Sequence, residues 1–383
     1  MLILFWSCLA MVAWVYLGYP LALRAGLLGR KKAYSCEPIQ PSISIIIPAH
    51  NEERAIKAKL ENLLASDYPR ERVEILVGSD GSSDSTEEIV RHFAADGVGF
   101  VSFPIHRGKS AIQNALAAVA SGSILVLTDA DCLFLPETLQ HLVEGFADAR
   151  VGLVTGHPAY INKAQTGVTT NEGVYLGYET WLRQEESVRG LLAMASGSLF
   201  AMRRSLWQPL DRDLGDDFEL PLRMAENGQR NVLEARAVTF TQLTQSEPLA
   251  MFGLKVRIIS KDFRALLSHR RLLNPFRHGT LAISLWSHKL LRWLVPYFLI
   301  GMLASSLFLQ DRPFFRVFAA LQLVLYLTAV AGLLLPDRAR RFPWSIPMSF
   351  CVVNLAALVG TLKCIMGGKS GRWTPERKQL HVP

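Results

Sequence analysis

Asp129 and Asp131 stand one residue apart at the end of Ile124-Leu-Val-Leu-Thr128, an apolar run that breaks off into two carboxylates. A run of that length reads as a buried strand. Closely spaced carboxylates are hard oxygen donors of the kind Mg²⁺ or Mn²⁺ takes. The chemistry this suggests is a divalent ion gripping a diphosphate. In isolation the pair reads as well as a polar turn closing a strand, because so short a motif recurs by chance. Its weight comes from acidic residues elsewhere: Asp80 after a second strand-like run, and the pair Asp216-Asp217 ahead of a helical segment.

The elements that must position these residues are legible in order. Ser42-Ile-Ser-Ile-Ile-Ile-Pro48 is a β-branched run stopped by proline, and Asn51-Glu52-Glu53 opens a helical pattern through Leu64. Val73-Glu-Ile-Leu-Val77 is a second strand, ending in the small polar turn Gly78 to Thr86, where Ser85 or Asp84 caps a helix to about Phe93. A third strand is expected at Gly99 to Phe103, and His106-Arg-Gly-Lys109-Ser leads into an Ala-rich helix, Ala111 to Ala120. Further on, a helix is expected from Phe218 to Asn227, closed by Gly228. Asp216 or Asp217 could simply cap it, a role compatible with a chemical one. Alternating strands and helices predict an open, largely parallel α/β sheet whose ligands gather at the carboxyl ends of the strands. Pro48, Asp80 and Asp129 all fall at such ends.

The rest of the chain is too apolar to be wholly soluble: 50% of the 383 residues are hydrophobic. Residues 1–23 carry no charge and are followed by Arg24, Arg30, Lys31 and Lys32, which predicts a transmembrane helix with its carboxyl end in the cytoplasm. A cleaved signal peptide would carry its charges first. Residues 37–245 have the alternation of a soluble domain. Residues 246–289 read as a basic amphipathic segment at the headgroup level, since Leu254 to Arg292 mixes Lys, Arg and His with Leu, Ile and Phe. Residues 290–366 hold three more spans, near Leu290 to Leu309, Val317 to Leu335 and Trp344 to Ile365, and 367–383 form a basic tail. Four spans that start outside would leave that tail outside, against Lys369, Arg372, Arg377 and Lys378. Either the positive-inside rule fails here or one segment does not cross. The net charge of +8, from 41 basic against 33 acidic residues, clusters beside the hydrophobic segments and points to membrane lipid, not nucleic acid. Five cysteines without CxxC spacing indicate neither a disulfide framework nor a zinc site.

Six motifs, taken together, carry a resemblance. Ile45-Ile-Ile-Pro-Ala-His-Asn-Glu52, Val77-Gly-Ser-Asp80-Gly-Ser-Ser-Asp-Ser-Thr86, Arg107-Gly-Lys109, Thr128-Asp-Ala-Asp131, Ala195-Ser-Gly-Ser-Leu-Phe200 and Gly215-Asp-Asp217-Phe-Glu-Leu220 resemble, in order, the motifs of family 2 glycosyltransferases. They cover about Ser42 to Gly228. The resemblance implies a GT-A fold, an open mixed sheet with a Rossmann-like nucleotide-binding half, and inverting transfer from a nucleoside diphosphate sugar. It implies Asp131 as metal ligand for Mn²⁺ or Mg²⁺, with Asp129 sharing the metal and donor site. It places Pro48, Ala49, Glu52, Asp80 and Lys109 at the nucleotide sugar, and Ser196, Gly197, Asp216 and Arg257 at the acceptor. Asp217, second in the family's acidic pair, is implied as the catalytic base.

One departure narrows the reading. Processive relatives that make cellulose, chitin or hyaluronan carry Gln-x-x-Arg-Trp some three dozen residues after the acidic pair, and this chain reads Leu254-Lys-Val-Arg257-Ile258 there. An aliphatic side chain offers a sugar ring no π face, so transfer of one or a few sugars is expected, with a processive synthase as the alternative. Trp181 could stack on an acceptor, or pack in a core. Trp373-Thr-Pro-Glu-Arg377 is similar to a cytoplasm-facing Trp-Gly-Thr-Arg segment of some membrane synthases. The expectation is a multi-pass plasma-membrane enzyme with a cytoplasmic catalytic domain, a UDP-linked donor and a lipid- or saccharide-linked acceptor, working with polysaccharide assembly partners. An inactive nucleotide-binding component of such an assembly is the alternative from another class.

Overall fold

The computed structural model describes residues 1–160, 167–241, 248–334 and 345–368. The segment around Trp373 and the tail charges from Lys369 onward lie outside the described residues. The chain divides into two compact units. One is built on 31–160 and 187–241, the other on 1–30, 167–186, 248–334 and 345–368.

The first unit is an eight-stranded sheet. Its strands are β1 (Ile43–Ala49), β2 (Val73–Asp80), β3 (Val98–Phe103), β4 (Ile124–Thr128), β5 (Leu133–Phe134), β6 (Val151–Tyr160), β7 (Leu199–Arg203) and β8 (Arg230–Thr241). Their spatial order is β3-β2-β1-β4-β7-β6-β8-β5. The β3-β2-β1-β4 half is parallel throughout. β7 then runs antiparallel to both β4 and β6, β6 pairs parallel with β8, and β5 closes antiparallel on β8. The sheet is therefore mixed: the expected parallel order holds for the first four strands and reverses at β7.

Period-two alternation fixes which face each residue serves. Ile43, Ile45 and Ile47 of β1, Ile75 and Val77 of β2, and Ile124 and Val126 of β4 enter one core cluster with Ile56, Leu60 and Leu63 of the helix Ile56–Leu64. Ile46, Leu76, Leu125 and Leu127 point the other way, into a second cluster with Ile112 and Leu116 of the helix Lys109–Val119 and Leu220 and Met224 of the helix Asp216–Glu226. Helices on both faces explain why these strands read as continuous apolar runs. Each fully buried isoleucine contributes roughly 1.5–3 kcal/mol.

In the second unit, Leu2–Arg24, Thr280–Phe308, Pro313–Leu334 and Ser345–Ile365 are long and apolar enough to cross a membrane. Thr280–Phe308 begins ten residues before the span expected from Leu290. Its first turns are polar because Ser284, Ser287 and His288 are buried in protein. Tyr19 Oη donates to Glu186 Oε1 at 2.5 Å, and His288 bridges Glu186 (2.7 Å) and Glu179 (2.9 Å), the latter also paired with Arg292 at 2.9 Å. The polar residues of this stretch face a buried network within the protein. Arg257 lies on the helix Pro248–Ser268 of this unit, and Trp181, tilted against Tyr178, belongs to it as well.

Candidate active site

The nucleotide-side loops follow β1 and β2. Asn51 has φ 57°, a left-handed conformation that asparagine tolerates better than most residues. Its Oδ1 accepts from the Ser83 amide at 2.8 Å, while the Glu52 amide donates to Thr86 Oγ1 at 2.8 Å and the Glu53 amide to Asp84 Oδ2 at 3.2 Å. The loop carrying Pro48, Ala49 and Glu52 is thus stitched to the one carrying Asp80. Ala49 and Glu52 are both buried.

Asp80 is fully buried. Its carboxylate accepts from the Arg107 amide (2.6 Å) and the Gly108 amide (2.7 Å), and lies 2.9 Å from His106 Nδ1. Its carbonyl accepts from His50 Nδ1 at 2.7 Å. Asp80, expected at the nucleotide sugar, anchors the loop that delivers Lys109. Gly108 in that loop has φ 95° and ψ 155°, a conformation open essentially only to glycine.

Lys109 starts its helix with its ammonium 2.9 Å from Asp129 Oδ1 and 3.2 Å from Asp216 Oδ2. One cation thereby joins the donor-side turn to the acidic pair. Gln113, one turn further along the helix, donates to the same Asp216 oxygen at 2.6 Å. Burial alone would lower the Lys109 pKa, but Asp129 and Asp216 overcome it and hold the ammonium above its ordinary value. Asp216 feels burial pushing up, and Lys109 and Gln113 prevail to hold it low. At Asp217 burial and the Asp216 charge outweigh the pull of Lys109, and the carboxyl is pushed up to about 6. Adjacent carboxylates driven apart in this way mark an ionised anchor and a base poised nearer neutrality.

The antiparallel strand β7 supplies the opposite wall. Its approach, Ser196-Gly197-Ser198, turns against the start of the Asp216–Glu226 helix: the Ala195 amide donates to the Asp217 carbonyl at 2.7 Å. A β-carbon at Gly197 would lie 3.5 Å from Asp217 Oδ2, so glycine leaves that carboxylate open on this side. Ser196 Oγ and Ser198 Oγ are hydrogen-bonded at 2.9 Å.

Beneath the Asp129–Asp131 turn lies a support that sequence reasoning missed. Lys59 is fully buried; its ammonium donates to Thr128 Oγ1 (3.1 Å), lies 3.6 Å from Cys132 Sγ and sits 3.6 Å over the Phe134 ring. Thr128 Oγ1 in turn donates to the Ser198 carbonyl at 2.8 Å, tying the turn to the β7 approach. The signal was present, since Ile56, Lys59, Leu60 and Leu63 recur at core-facing helical spacing. Lys109, Asp129 and Asp216 thus gather by direct contact, with Asp217 beside Asp216 and facing Gly197, and Asp80 pins the loop that leads into Lys109. Arg257 belongs to the other unit.

Among the described residues no three His, Cys, Asp or Glu side chains converge as a ready metal cage. The Asp129–Asp131 turn offers two carboxylates only. That donor set fits an Mg²⁺-like ion drawing its remaining oxygens from substrate phosphate and water, and does not fit a closed structural site.

Comparison with known proteins places the fold. The mannosyltransferase PcManGT from Pyrobaculum calidifontis, in complex with GDP-Man and Mn²⁺, shares the fold with a TM-score of 0.70 at 21% identity, over 95% of this chain and 99% of that one. The mixed open sheet is the GT-A architecture. Residues 44–209 match the model for glycosyl transferase family 2, which together with the fold supports a family 2 glycosyltransferase. Probable glycosyltransferase YdaM of Bacillus subtilis is 32% identical over 218 residues, 53% of this chain and 51% of that protein. Beta-monoglucosyldiacylglycerol synthase of Trichormus variabilis is 27% identical over 197 residues, 48% of this chain and 41% of that protein. The chain thus spans about half the length of the first relative and less of the second.

Proposed function

We propose that this glycosyltransferase moves a sugar from a nucleoside diphosphate donor, UDP-linked, to a hydroxyl of a lipid- or saccharide-linked acceptor, with inversion, at the cytoplasmic face of the plasma membrane, in cell-surface polysaccharide or glycolipid synthesis. The observation that carries the mechanism is the splitting of Asp216 from Asp217 across the cleft from the Asp129–Asp131 turn. Asp217, raised toward neutrality and left open by Gly197, takes the acceptor proton as the new bond forms. Asp216, held ionised by Lys109 and Gln113, keeps the first turn of its helix in place. Asp129 and Asp131 hold the divalent ion, Mn²⁺ or Mg²⁺, which when bound neutralises charge on the departing diphosphate. The loop pinned by Asp80 sets the nucleotide's approach.

Four apolar helices support the membrane placement, and a lipid-linked acceptor accounts for an anchor beside a soluble-type domain. The proposal is tested by nucleoside diphosphate release from a panel of sugar nucleotides, with Mn²⁺ or with chelator. Release should require the ion and fall by ~10²- to 10⁴-fold in Asp217→Asn, the scale of a lost general base. Full turnover in Asp131→Asn and Asp217→Asn would refute it.

A further inference from the structure

We infer that Lys109 is a counter-cation that withholds Asp129 from a divalent ion until a diphosphate arrives, making metal binding by this chain conditional on its donor. The inference rests on the reading of Asp129 and Asp131 as the metal turn. A lysine near a diphosphate is ordinarily assigned to the phosphate itself, but here its ammonium is spent on two carboxylates, Asp129 at 2.9 Å and Asp216 at 3.2 Å. A doubly charged ion on Asp129 would stand within a few ångströms of that ammonium, and in a part-buried cleft such like charges repel strongly.

Lys59 sharpens the argument. It adds a second, fully buried ammonium against the same turn, 3.1 Å from Thr128 Oγ1. Lys109, shared between Asp129 and Asp216, thus sets a positive charge beside the turn before any ion binds. Adding a bare dication beside that ammonium is opposed by like-charge repulsion; adding it with the negative charge of a diphosphate is opposed less. Lys109 also has somewhere to go. Asp216 already lies within reach, its Oδ2 fixed by Gln113 at 2.6 Å, so the ammonium can give up Asp129 and stay in the cleft. Lys59, whose pKa burial lowers, is held in place against Thr128 and the Phe134 ring. The same shift would strengthen the contact to Asp216 beside the base, so donor-side filling is reported to the acceptor side through one side chain.

The consequence is a coupling between metal and nucleotide that is reciprocal by linkage. It can be measured without turnover. Mn²⁺ binding to the full chain in detergent is followed by electron paramagnetic resonance, with no nucleotide, with UDP or with GDP. The native chain should bind Mn²⁺ weakly alone and much more tightly with a nucleotide that binds. Lys109→Met should bind Mn²⁺ alone roughly tenfold tighter, as expected for removing a neighbouring positive charge, and should lose most of the nucleotide's enhancement. Lys109→Arg, which keeps the charge, should behave like the native chain; thermal melting of all three reports folding. If Lys109→Met, folded, binds Mn²⁺ alone no tighter than the native chain, the inference is overturned while the metal reading stands. The native chain decides independently: equal Mn²⁺ affinity with and without bound nucleotide also overturns it. If neither protein binds Mn²⁺ even with nucleotide, the metal reading falls, and the inference with it.

Discussion

Asp217 carries the most direct prediction. Its carboxyl is pushed up to about 6 by burial and by Asp216, and a general base works only when deprotonated. kcat/KM should therefore fall as pH drops through about 6, the direction set by protonation of the free enzyme's base. Asp216→Asn removes the second of those causes, so any remaining activity should show its acid limb at lower pH. A pH–rate profile of both proteins measures this; an unmoved limb would detach it from Asp217. Lys59 gives a second test. Its stem lies among Ile56, Leu60 and Leu63, so Lys59→Met should fold, yet it leaves the Asp129–Asp131 turn without its buried support. A loss of about tenfold or more in kcat/KM with little change in melting temperature is expected, on the scale of a small misplacement of a reacting group. These two residues show what the sequence disclosed. The acidic residues were legible because charge after an apolar run is conspicuous. Lys59 was not, because lysine is read as solvated unless its helical spacing is weighed against its type.

At the scale of elements, the first four strands and their helices were readable from alternation and turn residues. The reversal at β7 was not, since a five-residue apolar strand carries no mark of direction. The consequence for the site is large: Gln113 and Asp216, in hydrogen-bond contact, are 103 residues apart. No local pattern predicts such a pairing. The loop between β3 and the helix Lys109–Val119 offers a prediction of its own. Gly108 combines a conformation that side chains avoid with an amide given to Asp80 at 2.7 Å. Gly108→Ala should cost roughly 1–3 kcal/mol of stability and weaken nucleotide binding by displacing Lys109. Melting and nucleotide titration together check it, and an unchanged titration would mean the loop does not deliver that lysine.

For the molecule as a whole, the sequence conveyed a soluble-type domain joined to apolar helices. What composition obscured was that a charged stretch can face protein within the helical unit. His288 joins Glu179 to Glu186, and Tyr19 and Arg292 complete the set. Removing one member of a buried ionic cluster leaves its partners uncompensated, typically at a cost of about 3–5 kcal/mol. His288→Ala should accordingly melt at clearly lower temperature in detergent, and more so than Tyr19→Phe, which removes only a hydroxyl. Equal melting of the two would mean that the glutamates find other partners.

The placement of β7 between β4 and β6 also sets an order of events during synthesis. A nascent chain that has emerged only as far as β4 can already pair β3, β2, β1 and β4 and present the Asp129–Asp131 turn, but β4 is then an open edge. Not until Leu199–Arg203 docks there, followed by the helix bearing Asp216 and Asp217, do those strands meet the proposed base. Until then the growing protein has an unpaired apolar strand that invites wrong partners. The strand that leads the chain toward Asp216 and Asp217 is the same one that covers the open edge of β4, while the far edge of β6 waits for β8.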